Sequence, residues 1–185
     1  MYKPSPLIIC GFPGIGKSYV TKHINHLKSH YHDSSHFDKS DFPNNYIQHI
    51  KNLYETNDCD VIFVSTHKEV RDALIKENLP HYVYYPNIHL KEIFITRYKN
   101  RGSSKAFIDF MESHFELFVN EIIEESKFHH PNVQYVEIDT DDISGHNPTI
   151  HLGKLDSASY CTIHVNDFKD GKSNLCNING ESITL

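Results

Sequence analysis

The sequence predicts an α/β fold: a parallel sheet of about five strands flanked by helices over residues 1–139, then a polar appendage over 140–185 that is irregular or small β. Three observations carry this reading. Strand-like and helix-like segments alternate from residue 7 to about residue 139. The run Val61-Ile62-Phe63-Val64 is apolar at every position, as a strand buried on both faces requires. A glycine-rich stretch at 11–18 lies between an apolar run and a segment of helical periodicity.

Taken in order, Leu7-Ile8-Ile9-Cys10 reads as a strand that stops at Gly11. From Lys17 the period becomes helical, with Val20, Ile24 and Leu27 on one face. Residues 29–42 are polar, with a short strand expected around 30–33. Pro43 then opens a helix whose apolar face is Tyr46, Ile47, Ile50, Leu53 and Tyr54, since proline suits a first helical turn. After the 61–64 strand, Thr66-His67-Lys68-Glu69 reads as a capping box. The helix it opens turns Val70, Ala73 and Leu74 inward. His81-Tyr82-Val83-Tyr84-Tyr85 is the next strand, ended by Pro86. A helix over about 88–99 carries Leu90, Ile93, Phe94 and Tyr98 and breaks at Gly102. Phe107, Phe110, Met111, Phe115, Phe118, Val119, Ile122 and Ile123 recur in steps of three and four, the pattern of a long helix with its aromatic stripe in the core. Val133 to Ile138 reads as a closing strand. The remainder is rich in Asp, Ser, Asn and Gly, with short runs such as 160–165, and carries no motif.

Composition narrows the function classes. The 185 residues hold 18 basic and 24 acidic side chains, a formal net charge of −6. That argues against a broad nucleic-acid-binding surface, while leaving room for a local basic site. No apolar stretch is long enough to span a bilayer. Residues 1–6 are too short and too broken by proline for a signal peptide, so a cytoplasmic protein is expected. Cysteines 10, 59, 161 and 176 follow no metal-ligand spacing, and Cys10 and Cys59 read as buried thiols. The fifteen histidines are scattered and form no zinc motif.

Gly11-Phe12-Pro13-Gly14-Ile15-Gly16-Lys17-Ser18 matches G-x-x-x-x-G-K-[ST] in full, between a strand and a helix. Glycines there let backbone N–H groups turn around phosphates, and the helix start favours the anion. Lys17 suits the β- and γ-phosphates of ATP, and the Ser18 hydroxyl suits Mg²⁺.

The loop and this layout resemble the P-loop NTPase fold and, within it, P-loop kinases of the nucleoside monophosphate kinase-like group, including small phage-type adenylate-kinase-like proteins. The resemblance covers roughly residues 5–138 and is most specific over 11–18. It implies an acidic residue just after the second strand, near acceptor and metal; Asp33 falls there, with a strand-end or helix-cap aspartate as the plain structural account. It also implies a lid that brings arginines to the transferring group. Arg97-Tyr98-Lys99-Asn100-Arg101-Gly102 is similar to that element, with Arg97 and Arg101 four apart on one helical face. Any such lid is short, within about 98–105. Arg71 stands as a possible contact to an acceptor phosphate or a surface ion pair. Asn44, Asn45 and Tyr46 stand as either acceptor contacts or cap and packing residues. No acidic residue ends the 61–64 strand; Ser65 and Thr66 follow it. The implied activity is transfer of the ATP γ-phosphoryl group to a small acceptor, a nucleoside or deoxynucleoside monophosphate. A polynucleotide 5′-hydroxyl kinase and a nucleotide-binding module without turnover stay open as alternatives.

Overall fold

The most apolar runs of the chain become the centre of a sheet. A computed structural model describes residues 5–23, 28–138, 150–153, 160–163, 174–176 and 182–184. Its elements are β1 (Leu7–Gly11), α1 (Lys17–His23), β2 (Ser29–Tyr31), a 3₁₀ turn (Ser34–His36), α2 (Asn44–Thr56), β3 (Val61–Val64), α3 (Lys68–Lys76), β4 (His81–Pro86), a second 3₁₀ turn (Ile88–Leu90), α4 (Lys91–Asn100), α5 (Lys105–Ser126) and β5 (Val133–Ile138). Then come β6 (Ile150–Gly153), β7 (Tyr160–Ile163), β8 (Asn174–Cys176) and β9 (Ser182–Thr184). The chain divides into two compact units, Met1–Asp139 and Thr140–Leu185.

In the first unit five parallel strands lie in the order β2-β3-β1-β4-β5. Cys10 of β1 pairs with Val64 of β3, and Gly11 with Tyr84 of β4. Every residue of β3 and β4 is buried, while the edge strands β2 and β5 are largely half-buried or alternating. Central parallel strands covered by helices must be apolar on both faces, and the 61–64 run meets that demand. The chain leaves β1 toward β2 at one edge and leaves β4 toward β5 at the other. The carboxyl ends of β1 and β4 therefore border a switch point, where open α/β sheets form a crevice.

The structure revises several local readings. The second strand covers 29–31 rather than 30–33, because the chain turns at His32 and places Asp33 at the start of the first 3₁₀ turn. The capping box at 66–69 does not form. His67 is the N-cap residue of α3 and makes no side-chain cap bond, so Glu69 falls one position too early for the reciprocal contact. The helix over 88–99 opens as a 3₁₀ turn, with the Asn87 side chain accepting from the His89 N–H, before α4 begins at Lys91. Along α5, Met111, Phe115, Val119 and Ile122 are buried, but Phe110 is 49% exposed and stacks on His114 at its surface. The aromatic stripe is thus wider than the buried face, since four side chains already fill the seam. Val20 is buried as expected; Ile24 and Leu27 lie outside the described residues.

Helix ends follow local chemistry. Gly102, at φ +76, closes α4, with the Ser103 N–H bonded to the Tyr98 carbonyl and the Gly102 N–H to that of Lys99. Ser104 caps α5 by accepting from the Phe107 N–H. Four residues, 101–104, separate the two helices.

Arg71 is neither a surface pair nor open to a ligand. It is 3% exposed and forks onto Glu125 through Nε (2.8 Å) and Nη2 (2.6 Å), with Glu121 at 2.7 Å and the Thr66 carbonyl accepting from Nη1. The clamp ties α3 to α5 and to the segment that follows β3. Exposed pairs such as Lys51–Glu77 add little by comparison.

The second unit is a four-stranded antiparallel sheet in the order β6-β7-β8-β9, with Ile150 opposite Ile163 and Leu175 opposite Ile183. It is the small β form of the expected appendage. The 160–165 run forms a strand over Tyr160–Ile163, and residues 164–165 lie outside the described residues. Among the described residues no helix is long and apolar enough to cross a membrane.

Removing one partner of a buried ion pair strands the other charge. Arg71→Met is therefore expected to lower unfolding stability by about 3 kcal/mol, read by urea denaturation. An unchanged midpoint would show that the clamp contributes nothing net.

Candidate functional site

The loop at 11–18 leaves the carboxyl end of β1 and turns over the crevice. The Phe12 N–H bonds to the Tyr84 carbonyl at 2.9 Å, carrying the β1–β4 pairing one residue past the strand. Two glycines then take left-handed conformations, Gly14 at φ +86 and Gly16 at φ +101, which side-chain-bearing residues rarely adopt. α1 starts at Lys17, with the Val20 N–H bonded to the Gly16 carbonyl.

Aromatic residues hold the loop from below. Phe12 packs edge-on to Phe94 (6.2 Å) and Phe115 (5.3 Å), and Ile15 is fully buried. The Tyr98 hydroxyl donates to the Pro13 carbonyl at 2.8 Å. A Cβ on Gly14 would stand 2.8 Å from the Tyr98 ring, and one on Gly11 would meet Ile15 and Lys17 side-chain atoms at 2.4 and 2.8 Å. Gly14 requires glycine both for space and for backbone conformation, whereas a side chain at Gly11 would displace the flexible ends of Ile15 and Lys17.

Lys17 folds into this loop and donates to the Gly11 carbonyl and to that of Phe12 (3.2 Å). Burial pushes its pKa down from 10.5 to about 7; Arg101 adds to that fall, while Cys10 and Asp33 oppose it. A half-buried cation short of counter-charge is a site for an anion. Ser18, beside it, is exposed.

Asp33 stands at the end of β2 and accepts from the Ser35 N–H at 2.9 Å. Burial raises its pKa, but hydrogen bonds from Ser35, with the charges of His36 and Lys17, outweigh burial and hold the carboxyl below its ordinary value. Asp33 thus caps a turn, as the plain account has it, and its charge also acts on Lys17. The field of Asp33 reaches Tyr31 too: burial first, then Asp33, raise the phenol's pKa against Arg101.

The two arginines part company. Arg97 lies over the Phe94 ring (5.1 Å) and donates to the Gly14 carbonyl at 3.3 Å, bracing the loop. Arg101, the residue after α4, is exposed, lies over Tyr98 (4.9 Å) and Phe107 (5.4 Å), and donates to the Ser103 hydroxyl at 2.7 Å. Its charge is felt at both Lys17 and Tyr31.

Tyr46 is a packing residue. It is fully buried, donates to the His32 carbonyl at 3.0 Å and accepts from the Ser65 N–H at 3.3 Å, joining the ends of β2 and β3. Asn44 bonds to Asp41 within its own loop and starts α2 rather than capping it. Ser65 escaped the sequence reading as a site residue. Its Oγ is buried without a partner at the carboxyl end of β3. Tyr31, Lys39 and His67 were likewise missed. A usable signal existed for Ser65 and His67, because both follow the strongest strand run and so fall at a strand's carboxyl end.

No protein-family model matches this chain, and no curated protein matches it in sequence. Its class rests on the fold and the loop. The parallel sheet flanked by helices is a P-loop-type α/β fold, generically capable of binding a nucleotide and supporting phosphotransfer.

Gly14→Ala is expected to cost about 1–3 kcal/mol of stability through backbone strain and the clash with Tyr98, visible as a lowered Tm. The lowered pKa of Lys17 gives a second prediction. Between pH 7 and 10.5 the unfolded chain holds the Lys17 proton and the folded one does not, so stability rises with pH across that window. Lys17→Met removes the buried charge. Its Tm advantage over the parent should be largest near pH 6 and shrink toward pH 10. A gap that stays constant with pH would mean that Lys17 keeps its ordinary pKa.

Proposed function

We propose that this chain is a cytoplasmic P-loop kinase that transfers the γ-phosphoryl group of ATP to a nucleoside or deoxynucleoside monophosphate. Residues 1–139 form the kinase domain in this reading, and 140–185 form a polar C-terminal appendage. The observation that carries it is the placement of Lys17. It lies inside a glycine loop at the sheet's switch point, with the charges of Asp33 and Arg101 both acting on it.

The loop suits a polyphosphate. Gly14 and Gly16 adopt left-handed conformations of the kind that let successive backbone N–H groups converge on an anion. Residues 11–18 cradle the phosphates, and Lys17 takes up charge that shifts toward the bridging oxygen as the bond to Pγ breaks. Arg101 supplies positive charge over the transferring group, and Arg97 keeps Gly14 in place beneath it. A proton lost by Lys17 on folding returns when the anion binds.

The donor set also fits magnesium. Mg²⁺ on a nucleotide needs one or two protein oxygens besides phosphates and water, and Ser18 and Asp33 provide a hydroxyl and an ionised carboxylate. Held there, the ion would spread positive charge across the phosphates.

The state of Asp33 bears on the acceptor. A carboxyl held below its ordinary pKa is a poor proton acceptor. A monophosphate acceptor attacks through an oxygen that is already ionised, so no base is needed. Its oxygen forms a bond to Pγ, the bond from Pγ to the β-phosphate oxygen breaks, and two nucleoside diphosphates leave.

The test offers γ-labelled ATP and Mg²⁺ with ribo- and deoxynucleoside monophosphates, nucleosides and a 5′-hydroxyl oligonucleotide, one at a time. Label should move to one monophosphate. Lys17→Ala should lower the rate by about 100-fold or more, and Arg101→Ala should lower kcat with little change in ATP affinity. Transfer to no acceptor while ATP binds would sink the kinase reading. Transfer to the oligonucleotide alone would replace it with an end kinase.

A further inference from the structure

The outer face of α5 carries apolar side chains that the fold leaves uncovered. Among the described residues four large apolar side chains are exposed, and three of them lie on this helix and the turn that ends it: Phe110 at 49%, Leu117 at 61% and Phe128 at 67%. The turn keeps Phe128 in line with the helix, since the Lys127 and Phe128 N–H groups bond to the Glu124 and Glu125 carbonyls. Exposed apolar side chains gathered in one place mark a contact surface.

Their spacing says what fits there. Phe110, His114, Leu117, Glu121, Glu124 and Phe128 follow one another in steps of four, three, four, three and four, the 3.5-residue repeat along which two helices share a seam. The steps read the same from either end. A two-fold axis level with Val119 therefore sets Phe110 of one copy against Phe128 of the other, His114 against Glu124 and Leu117 against Glu121. A parallel pair would set imidazole on imidazole and carboxylate on carboxylate instead.

The groups for each contact are in place. The Phe110 ring stacks on His114 at 4.4 Å, which limits its motion. His114 Nδ1 lies 2.8 Å from the Phe110 carbonyl. A carbonyl only accepts, so Nδ1 carries a proton and Nε2 is the atom that, once protonated, donates to a carboxylate. Glu124 is exposed and paired with the exposed Lys127, a contact of little net value. Glu121 is neutralised by Arg71 at 2.7 Å, so the facing Leu117 meets no free charge. A hollow of about 480 Å³ with Leu117, Asn120 and Phe128 in its wall gives room for the Phe110 ring of a second copy.

We propose that this face of α5 is a homodimer interface, in which two copies of the chain pack α5 against α5 in antiparallel register. One helix face is a small interface, so the dimer forms reversibly.

The experiment is sedimentation equilibrium of the full chain over about 1–300 µM. A monomer–dimer equilibrium is expected. Phe110→Ser and Phe128→Ser should each weaken it at least about tenfold. His114→Glu sets glutamate against Glu124, and Glu124→Lys sets lysine against His114. Each should weaken the dimer about tenfold, and the double variant should restore it. Positions 114 and 124 lie about 15 Å apart along one helix, so restoration requires a second copy. The substituted side chains lie on the outer face, and each variant should keep the parent's Tm, which separates lost association from lost folding. A chain that stays monomeric at every concentration, or a dimer indifferent to Phe110→Ser, would overturn the proposal. A double variant as weak as the single ones would overturn the antiparallel register.

Discussion

Everything at the candidate site depends on the docking of the glycine loop onto an aromatic floor. Phe12 wedges between Phe94 of α4 and Phe115 of α5, and the Tyr98 hydroxyl takes the Pro13 carbonyl. Edge-on aromatic pairs contribute about 0.5–1.5 kcal/mol each beyond the area they bury. Gly14 can approach the Tyr98 ring only because it has no side chain. Packing from below therefore holds the loop's shape. The same helix ends at Gly102, one residue after Arg101, so the contact that shapes the loop also decides where that arginine emerges.

A second restraint fixes the other side of the crevice. Arg71 joins α3 to α5 through two glutamates and also takes the Thr66 carbonyl. Tyr46 spans the ends of β2 and β3. Together they hold the segments carrying Asp33, Ser65 and His67. A buried ion pair of this kind is a poor source of net stability when compared with apolar packing. Its consequence here is geometric: α5, which supplies Phe115 to the loop's floor, is registered against the residues that follow β3.

The electrostatics of the crevice run against stability. Lys17 is half-buried with carbonyls as its hydrogen-bond partners, and Arg101 lies close enough to lower its pKa further. Asp33 supplies one negative charge, already engaged by Ser35. A fold that keeps positive charge in surplus at a glycine loop gives up some stability to a site suited to anions.

The sequence by itself determined the sheet, most of the helices and the position of the loop. Runs such as Val61 to Val64 can be stable only inside a covered parallel sheet, and Gly14, Gly16 and Lys17 are constrained locally by backbone conformation and by the helix they open. Local signals failed where distant residues competed. The capping box at 66–69 does not form because α3 starts one residue later, at Lys68, where Arg71 takes the Thr66 carbonyl and a partner 54 residues away. Arg97 and Arg101 read alike at a spacing of four, and only α4's placement under the loop gave one to the Gly14 carbonyl and left the other exposed. Phe110 fits the helical period yet stays outside, because the seam it would join was already full. Tyr31 and Lys39 carry no motif, and Ser65 and His67 are marked only by following the strongest strand run. They came together because β3 lies between β2 and β1, and strand order is fixed by long-range pairing that no local pattern encodes.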